Sequence, residues 1–498
     1  MVNPGLVLLA VMLGTFLSIL DTTILNVALP YIMAAFGSDV EHAKWATTGF
    51  FLGATVSMPL SGWLGSRFGN ATVFVVSLAI FTVGAGLSSV AWSLDALIAS
   101  RILQGISAGV VQPIAIAILT QAFPPEIRGR VFGIWAIGMM TAPSLGPVTG
   151  GVIIEFIDWR AIFLLSAVVG VMAVLLAATV LEKQVSEPPK PFDWPGYLAL
   201  TSFLVTGFLT VNYGQQEGWD SEIIVAGMIG TLASFAIFIV LEWGEADAIL
   251  PLRMFRERDF ALASCITVFR ALGLFGPIFL LPIFLFQIQG RASIDIGLIL
   301  MPGSVVMALS SPIAGAITDR IGGRWPTVAG VVCIAVALFM YRDIDFLTNT
   351  RRLVLPLMLQ GLGIAFVMTP VITTGMNAVH RNDAGNASWV LNLCQRAGGA
   401  FAITLLGTYL HRQTMIHQDI LGDTLKMQQP AWSAFNSLSL AAGQSAIDAQ
   451  SAFLAGAMHY IGQAAAALAF KNLFTFSAVV TIVAVIPALL LASKRKPA

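Results

Sequence analysis

Gly62-Trp63-Leu64-Gly65-Ser66-Arg67-Phe68-Gly69 recurs in the second half of the chain as Gly315-Ala316-Ile317-Thr318-Asp319-Arg320-Ile321-Gly322. Both copies fit G-x-x-x-[D/S]-R-x-G, and both join two long apolar stretches. Gly62, Gly69, Gly315 and Gly322 suit a gating turn, because glycine permits close helix approach and φ > 0. Arg67 and Arg320 suit a helix C-terminus, where a cation meets free carbonyls. A bilayer core of about 30 Å takes about 20 apolar residues of helix to cross. Fourteen stretches qualify: 7–30, 43–65, 71–92, 96–119, 131–154, 161–181, 196–213, 222–243, 261–287, 294–317, 326–341, 353–376, 387–410 and 473–492. The turn falls after the second and after the tenth, so a six-span unit begins at span one and again at span nine. Repeat-built bundles that rock about a midplane site are the architecture of secondary transporters. The expected fold is an all-α polytopic membrane protein of two six-helix bundles plus an inserted hairpin. Residues 1–181 are the N-terminal bundle, 182–260 a linker with the hairpin, and 261–498 the C-terminal bundle.

Of 498 residues, 57% are apolar and 10% charged, against about 25% charged in soluble domains. That excludes an ordinary soluble enzyme and a disordered chain. With 26 basic and 26 acidic residues, no basic surplus exists to hold a phosphate backbone, so nucleic acid is not an expected partner. With the N-terminus inside, cytoplasmic loops hold fourteen Lys and Arg and the short outer loops six. The positive-inside rule then puts both termini, including Lys494-Arg495-Lys496, in the cytoplasm. The first apolar run, Leu6 to Pro30, is too long for a signal h-region and reads as a retained span. Residues 411–471 form a long outer connection. Ser451 to Phe470 carries no charge, yet Gln450 to Leu491 as one helix is about 60 Å long, twice the core. An Ala-rich helix outside the membrane, leading into the last span, is expected there.

Several motifs carry a family likeness. The first span reads Leu20-Asp21-Thr22-Thr23-Ile24-Leu25-Asn26-Val27-Ala28-Leu29-Pro30, and the fourth Arg101-Ile102-Leu103-Gln104-Gly105. The fifth spaces Gly133, Ala142, Pro143, Gly146, Pro147, Gly150 and Gly151. On these residues the chain resembles the major facilitator superfamily, and within it the fourteen-span drug:proton antiporters of the EmrB/QacA type. The resemblance implies the major facilitator fold and a fifth-span antiporter motif that packs the two halves together and limits leak. Pro143 and Pro147 should kink that helix by removing backbone bonds. Ser66 stands where the family's first turn usually has Asp, and Ala142 replaces a glycine of the fifth-span pattern. A periplasmic adaptor and an outer-membrane channel are partners the resemblance implies where two membranes exist, with 411–471 as the docking connection.

Ionisable residues in hydrocarbon are expensive and usually functional. Asp21 is the only acid well inside a span, and proton coupling is assigned to it. By residue count it lies about 21 Å from the inner face, and Arg101 about 22 Å, so the two can pair. A neighbouring arginine favours a carboxylate and burial favours the neutral acid, so alternating exposure switches proton binding and release; the bland reading is a static pair that fixes packing. Arg270 and Arg396, each about 14 Å deep, bind carbonyls, Asn392, Gln395 or an anionic substrate. Substrate-cavity candidates are Asn26, Gln104, Trp135, Met139, Arg270, Asn392, Gln395 and Arg396, with Met140, Phe366, Met368 and Met376 as adaptable apolar wall or as plain packing. His411 and His417 are poorly spaced for a metal, and no phosphate loop occurs, so no cofactor is expected. Scattered histidines and one buried acid make no nucleophile–base pair, which argues against an enzyme. The expected activity is proton-coupled efflux of amphipathic small molecules across the cytoplasmic (inner) membrane. The alternative is a dedicated exporter of one metabolite, such as a siderophore, fatty acid or antibiotic.

Overall fold

The computed structural model describes residues 3–182, 191–243, 248–250, 252–291, 293–344, 350–380, 383–426 and 446–492. Among these no strand occurs. The first half contains α1 (Pro4–Phe36), α2 (Val40–Ser57), α3 (Leu60–Phe68), α4 (Asn70–Ser89), α5 (Leu94–Ala122), α6 (Arg128–Phe156) and α7 (Arg160–Val180). Then come α8 (Trp194–Glu217) and α9 (Glu222–Glu242). The second half contains α10 (Arg258–Gln287), α11 (Ser293–Ile321), α12 (Arg324–Met340), α13 (Thr350–Ala378), α14 (Ala384–Lys426), α15 (Ala446–Val483) and α16 (Val485–Leu490). A helix occupies each of the fourteen expected segments, the second divided between α2 and α3 and the last between α15 and α16. Among the described residues, ten helices are long and apolar enough to cross a bilayer. Arg128–Pro143 and Leu145–Phe156, set at 40° to each other, make an eleventh. That bend falls where Pro143 and Pro147 remove backbone bonds from α6.

Helix ends follow local chemistry. Asn3 caps α1 through Gly5 N at 2.9 Å, and Asp39 caps α2 through His42 N at 2.8 Å. Gly69 (φ +81°) and Gly322 (φ +85°) turn the chain at matching places in the two motif copies, a conformation side chains disfavour. We call this side of the molecule the turn end. The arginines of both turns depart from expectation. Arg67 lies over the rings of Trp63 (5.1 Å) and Phe68 (5.6 Å), and Arg320 is exposed with no hydrogen bond among the described residues. Neither reaches a helix-end carbonyl. The glycine turn itself takes one, since Gly322 N donates to Thr318 O at 2.9 Å, and a tryptophan face four residues back holds the first guanidinium.

In the first set of helices, α1 packs on α6 and α7, α2 on α5, and α4 on α5 and α7. In the second, α10 packs on α14, α13 on α11 and α12, and α15 on α12 and α14. The sets meet through α6 with α11 and through α14 with α3 and α5. Helices α8 and α9 pair and lean on α2 and α14. Ile229, Leu232 and Val240 of this hairpin are exposed, the surface lipid solvates. Tyr197 Oη donates to Val56 O at 3.1 Å, and Phe192 meets Trp63 edge-on at 5.0 Å, which holds the hairpin to α2 and α3.

Helix α14 has 43 residues and α15 has 38, about 65 and 57 Å long. Both overshoot a bilayer core at the end opposite the turns. They run side by side, with Tyr409 stacked on Phe476 at 4.8 Å. Asn472 Nδ2 donates to Gln413 Oε1 and His417 Nε2, each at 3.1 Å. Ser451 to Phe470 lies within α15, in one piece with the last expected span. Residues 427–445 of the expected outer connection, and the lysines and arginines at 183, 190, 381 and 494–496 that the sequence assigns to cytoplasmic loops, lie outside the described residues.

Candidate functional site

Asp21 is 2% exposed on α1 and Arg101 is 0% exposed on α5. Arg101 Nη1 donates to Asp21 Oδ2 and, at 2.7 Å, to Gln104 Oε1. Its guanidinium lies 4.6 Å from the Phe50 ring centre and 5.7 Å from that of Phe163, and Nε reaches Ala46 O at 3.5 Å. Gly105 makes this approach possible. A Cβ there would stand 2.1 Å from Phe50 O, so only a bare backbone lets α5 come this close to α2. Behind the pair, Ser88 Oγ is 2.8 Å from Ser100 Oγ and donates to Gln104 Oε1 at 3.3 Å. Ser88, Ser100, Phe50 and Phe163 were not singled out in the sequence. The available signal was Gly84-x-x-x-Ser88, the small-residue spacing that lets membrane helices touch.

A cavity lies between the two sets of helices. Trp135, Met139, Arg270, Asn392 and Gln395 line it, together with Met368. Ile116, Thr267, Ile372 and Leu391 also line it and went unnoticed, because an apolar residue in a span looks the same whether it faces lipid or cargo. Free space is about 10 Å³, about the room of one water. The sets are drawn together around it. Arg270 is 2% exposed, and its Nη2 donates to Gln395 Oε1 at 3.1 Å. Its Nε and Nη1 have no partner among the described residues. Trp135 turns its indole N–H away, to Thr15 Oγ1 at 3.0 Å, and Asn392 donates to Ser388 O of its own helix at 2.9 Å. Of the remaining candidates, Gln104 belongs to the Asp21 cluster. Arg396 is partly buried on α14 and does not line the cavity. The Asn26 side chain lies outside the described residues.

The sets close at the turn end. Asp319 Oδ1 accepts from Gly129 N at 2.8 Å and Oδ2 from Arg130 N at 2.9 Å, so a carboxylate of one set caps the first helical N–H groups of α6 in the other. Arg128 Nη1 donates to Asn377 Oδ1 at 2.8 Å. A Cβ on Gly315 would stand 1.9 Å from Gly129 O, and one on Gly62 2.0 Å from Asn386 Oδ1. Ser66, at the place of Asp319 in the other copy, bonds among the described residues only back to Trp63 O of its own helix, at 2.9 Å.

The fifth-span motif divides in two. Gly133 meets Ser311 O and Pro312 of the opposite set. Gly146 and Gly150 instead meet Thr23 and Ile24 of α1, and Gly151 faces open space. The implied packing of the two halves therefore rests on Gly133, while the outer glycines seat α6 on its own bundle. Thirteen residues at about 100° each put Gly146 on the face of α6 away from Gly133, and Gly138 already meets Met12 of α1.

The pattern that defines the Major Facilitator Superfamily matches residues 11–403. The chain belongs to this superfamily. Its relatives include the MFS-type transporter YhcA of Bacillus subtilis, 31% identical over 86% of this chain and 80% of the relative. The multidrug export protein EmrB of Haemophilus influenzae is 28% identical over 86% and 85%. Among solved structures, the proton:xylose symporter XylE matches with a TM-score of 0.60 at 15% identity, covering 96% of this chain and 94% of that one. The superfamily is one of transporters rather than enzymes, and this member is a multi-pass membrane protein with drug exporters among its relatives.

Proposed function

We propose that the protein exports amphipathic small molecules across the cytoplasmic membrane in exchange for protons, by alternating access between its two sets of helices. The observation that carries this reading is a buried acid, Asp21, matched to a fully buried Arg101 from a different helix. A carboxylate in hydrocarbon holds its charge only while its partner is in place. Protonation of Asp21 leaves Arg101 held by Gln104 and the Phe50 face alone, and deprotonation restores its carboxylate partner. Coupling follows when the two steps take place on opposite sides of the membrane. A relative named as a multidrug exporter supports the cargo class. The excess of Lys and Arg in alternate loops supports fourteen crossings with both termini and the turn end in the cytoplasm, and the Asp319 and Gly129 contacts then belong to the state closed to the cytoplasm. Where the source has two membranes, the projecting parts of α14 and α15 offer an adaptor and outer-membrane channel a place to dock.

Proteoliposomes with an imposed pH gradient test the coupling. The wild type moves amphipathic cargo uphill as protons run down, and Asp21→Asn binds cargo but no longer accumulates it. Uphill movement in Asp21→Asn, still dissipating the gradient, would overturn the proposal.

A further inference from the structure

Two buried arginines of this protein are treated differently. Arg101 has a carboxylate against it, and Arg270 has none. No described acid forms an ion pair with Arg270, and its only hydrogen bond among the described residues is to the neutral Gln395 amide. A guanidinium carries five N–H groups. The one nitrogen engaged leaves the Nε and Nη1 hydrogens unpartnered in a side chain 2% exposed. Burying a cation this way is costly unless something anionic comes to it. The residue lines the cavity between the two sets of helices, whose other walls include Trp135, Met139, Met368 and Leu391.

We propose that the cargo of this cavity is an amphipathic organic acid whose carboxylate docks on Arg270, while its apolar body lies against Trp135, Met139 and Met368. Gln395 is a positioning residue: its Oε1 holds Nη2 and so fixes the plane of the guanidinium. Arginine suits this task because its planar fork matches a carboxylate, which a point-charge ammonium does not. The inference deepens the export reading and rests on it only for the direction of movement, since binding at equilibrium needs no gradient. It also changes the charge carried per cycle. An anion leaving as a proton enters moves two charges in the same sense, where a neutral cargo moves one.

Titration calorimetry on the purified full-length protein in detergent tests it, with matched pairs of acid and primary amide: 1-pyrenebutyrate with its amide, 1-naphthaleneacetate with its amide, and dodecanoate with its amide. The expected result is binding of the acids at least tenfold tighter than the amides. Arg270→Gln removes that preference and leaves amide affinity within about twofold, Arg270→Lys keeps part of it, and Arg396→Gln keeps all of it. Absence of an acid preference in the wild type overturns the proposal, and that measurement needs no variant to fold. A preference that survives in Arg270→Gln, or an equal loss for acid and amide, overturns it as well. Proton-driven transport is read separately in proteoliposomes, so its failure with the acid preference intact sinks the export reading and leaves the anion site standing.

Discussion

Asp21 and Arg101 lie 80 positions apart in the chain and in direct contact in the fold. Truncating one member of a buried pair costs about 3–5 kcal/mol, chiefly because the other charge is left unpaired in low dielectric. Asp21→Asn is therefore expected to lower unfolding stability in detergent by about that amount. Adding Arg101→Gln should restore most of it, since the orphaned cation disappears. Proton-driven transport should stay lost in the double variant. Recovery of transport along with stability would reduce the pair to a packing device. Arg270 poses the opposite situation, a cation that no described carboxylate neutralises, and there the missing charge is assigned to cargo. Asp21 could be picked out in the sequence because charge inside an apolar run is conspicuous. Ser88 and Ser100 could not, because a serine in a span is often satisfied by its own helix, and only the approach of α4 to α5 shows that these two meet.

At the scale of elements, the glycines of α6 have separate duties despite belonging to one motif. Gly133→Ala places a methyl 2.4 Å from Ser311 O, and backbone on both sides gives it nowhere to go. Overpacking of this kind costs about 1–3 kcal/mol, here drawn from the state closed at the turn end. Gly151→Ala meets nothing within 4 Å and should leave transport and stability unchanged. Parallel measurements of transport rate and melting temperature on the two variants check this, and equal damage from both would contradict the division. A second case concerns the hairpin. Buried Glu242 accepts from Leu250 N at 3.3 Å, and a Cβ on Gly196 would stand 2.0 Å from Asp193 Oδ2 and 2.5 Å from Glu242 Oε1. Gly196→Val should loosen α8 from α9 and lower the melting temperature, while the acid preference proposed for Arg270 stays as it was.

At the scale of the whole molecule, closure at the turn end is lopsided. One copy of the repeated turn supplies Asp319 to the N-terminus of α6. The other supplies Ser66, which among the described residues reaches only its own helix, so that side closes by contact of Gly62 with Asn386. A carboxylate at a helix N-terminus is worth about 1 kcal/mol, up to ~2 when partly buried. Asp319→Asn should then lower the closed-to-open ratio roughly fivefold, read as a longer mean distance between spin labels at Glu126→Cys and Arg320→Cys. Ser66→Asp, one helical turn from the Gly62–Asn386 contact, should shift the same distance toward closure. An unchanged distance in both variants would remove Asp319 from the latch.

Apolar run length and the repeated glycine turn, both properties of local sequence, were enough to place the helices, because a backbone in lipid has to satisfy its hydrogen bonds within each segment. Depth along a helix is likewise a matter of counting, which is why Asp21 and Arg101 can be matched from sequence alone. Azimuth is different. Which way a residue faces around α5, α6 or α14 depends on neighbours hundreds of positions away, and in hydrocarbon the apolar pattern that would reveal a buried face in water is erased. Only the tertiary structure therefore separated Gln104 from the cavity, turned the outer glycines of α6 toward α1, and left Arg270 without a described counter-charge.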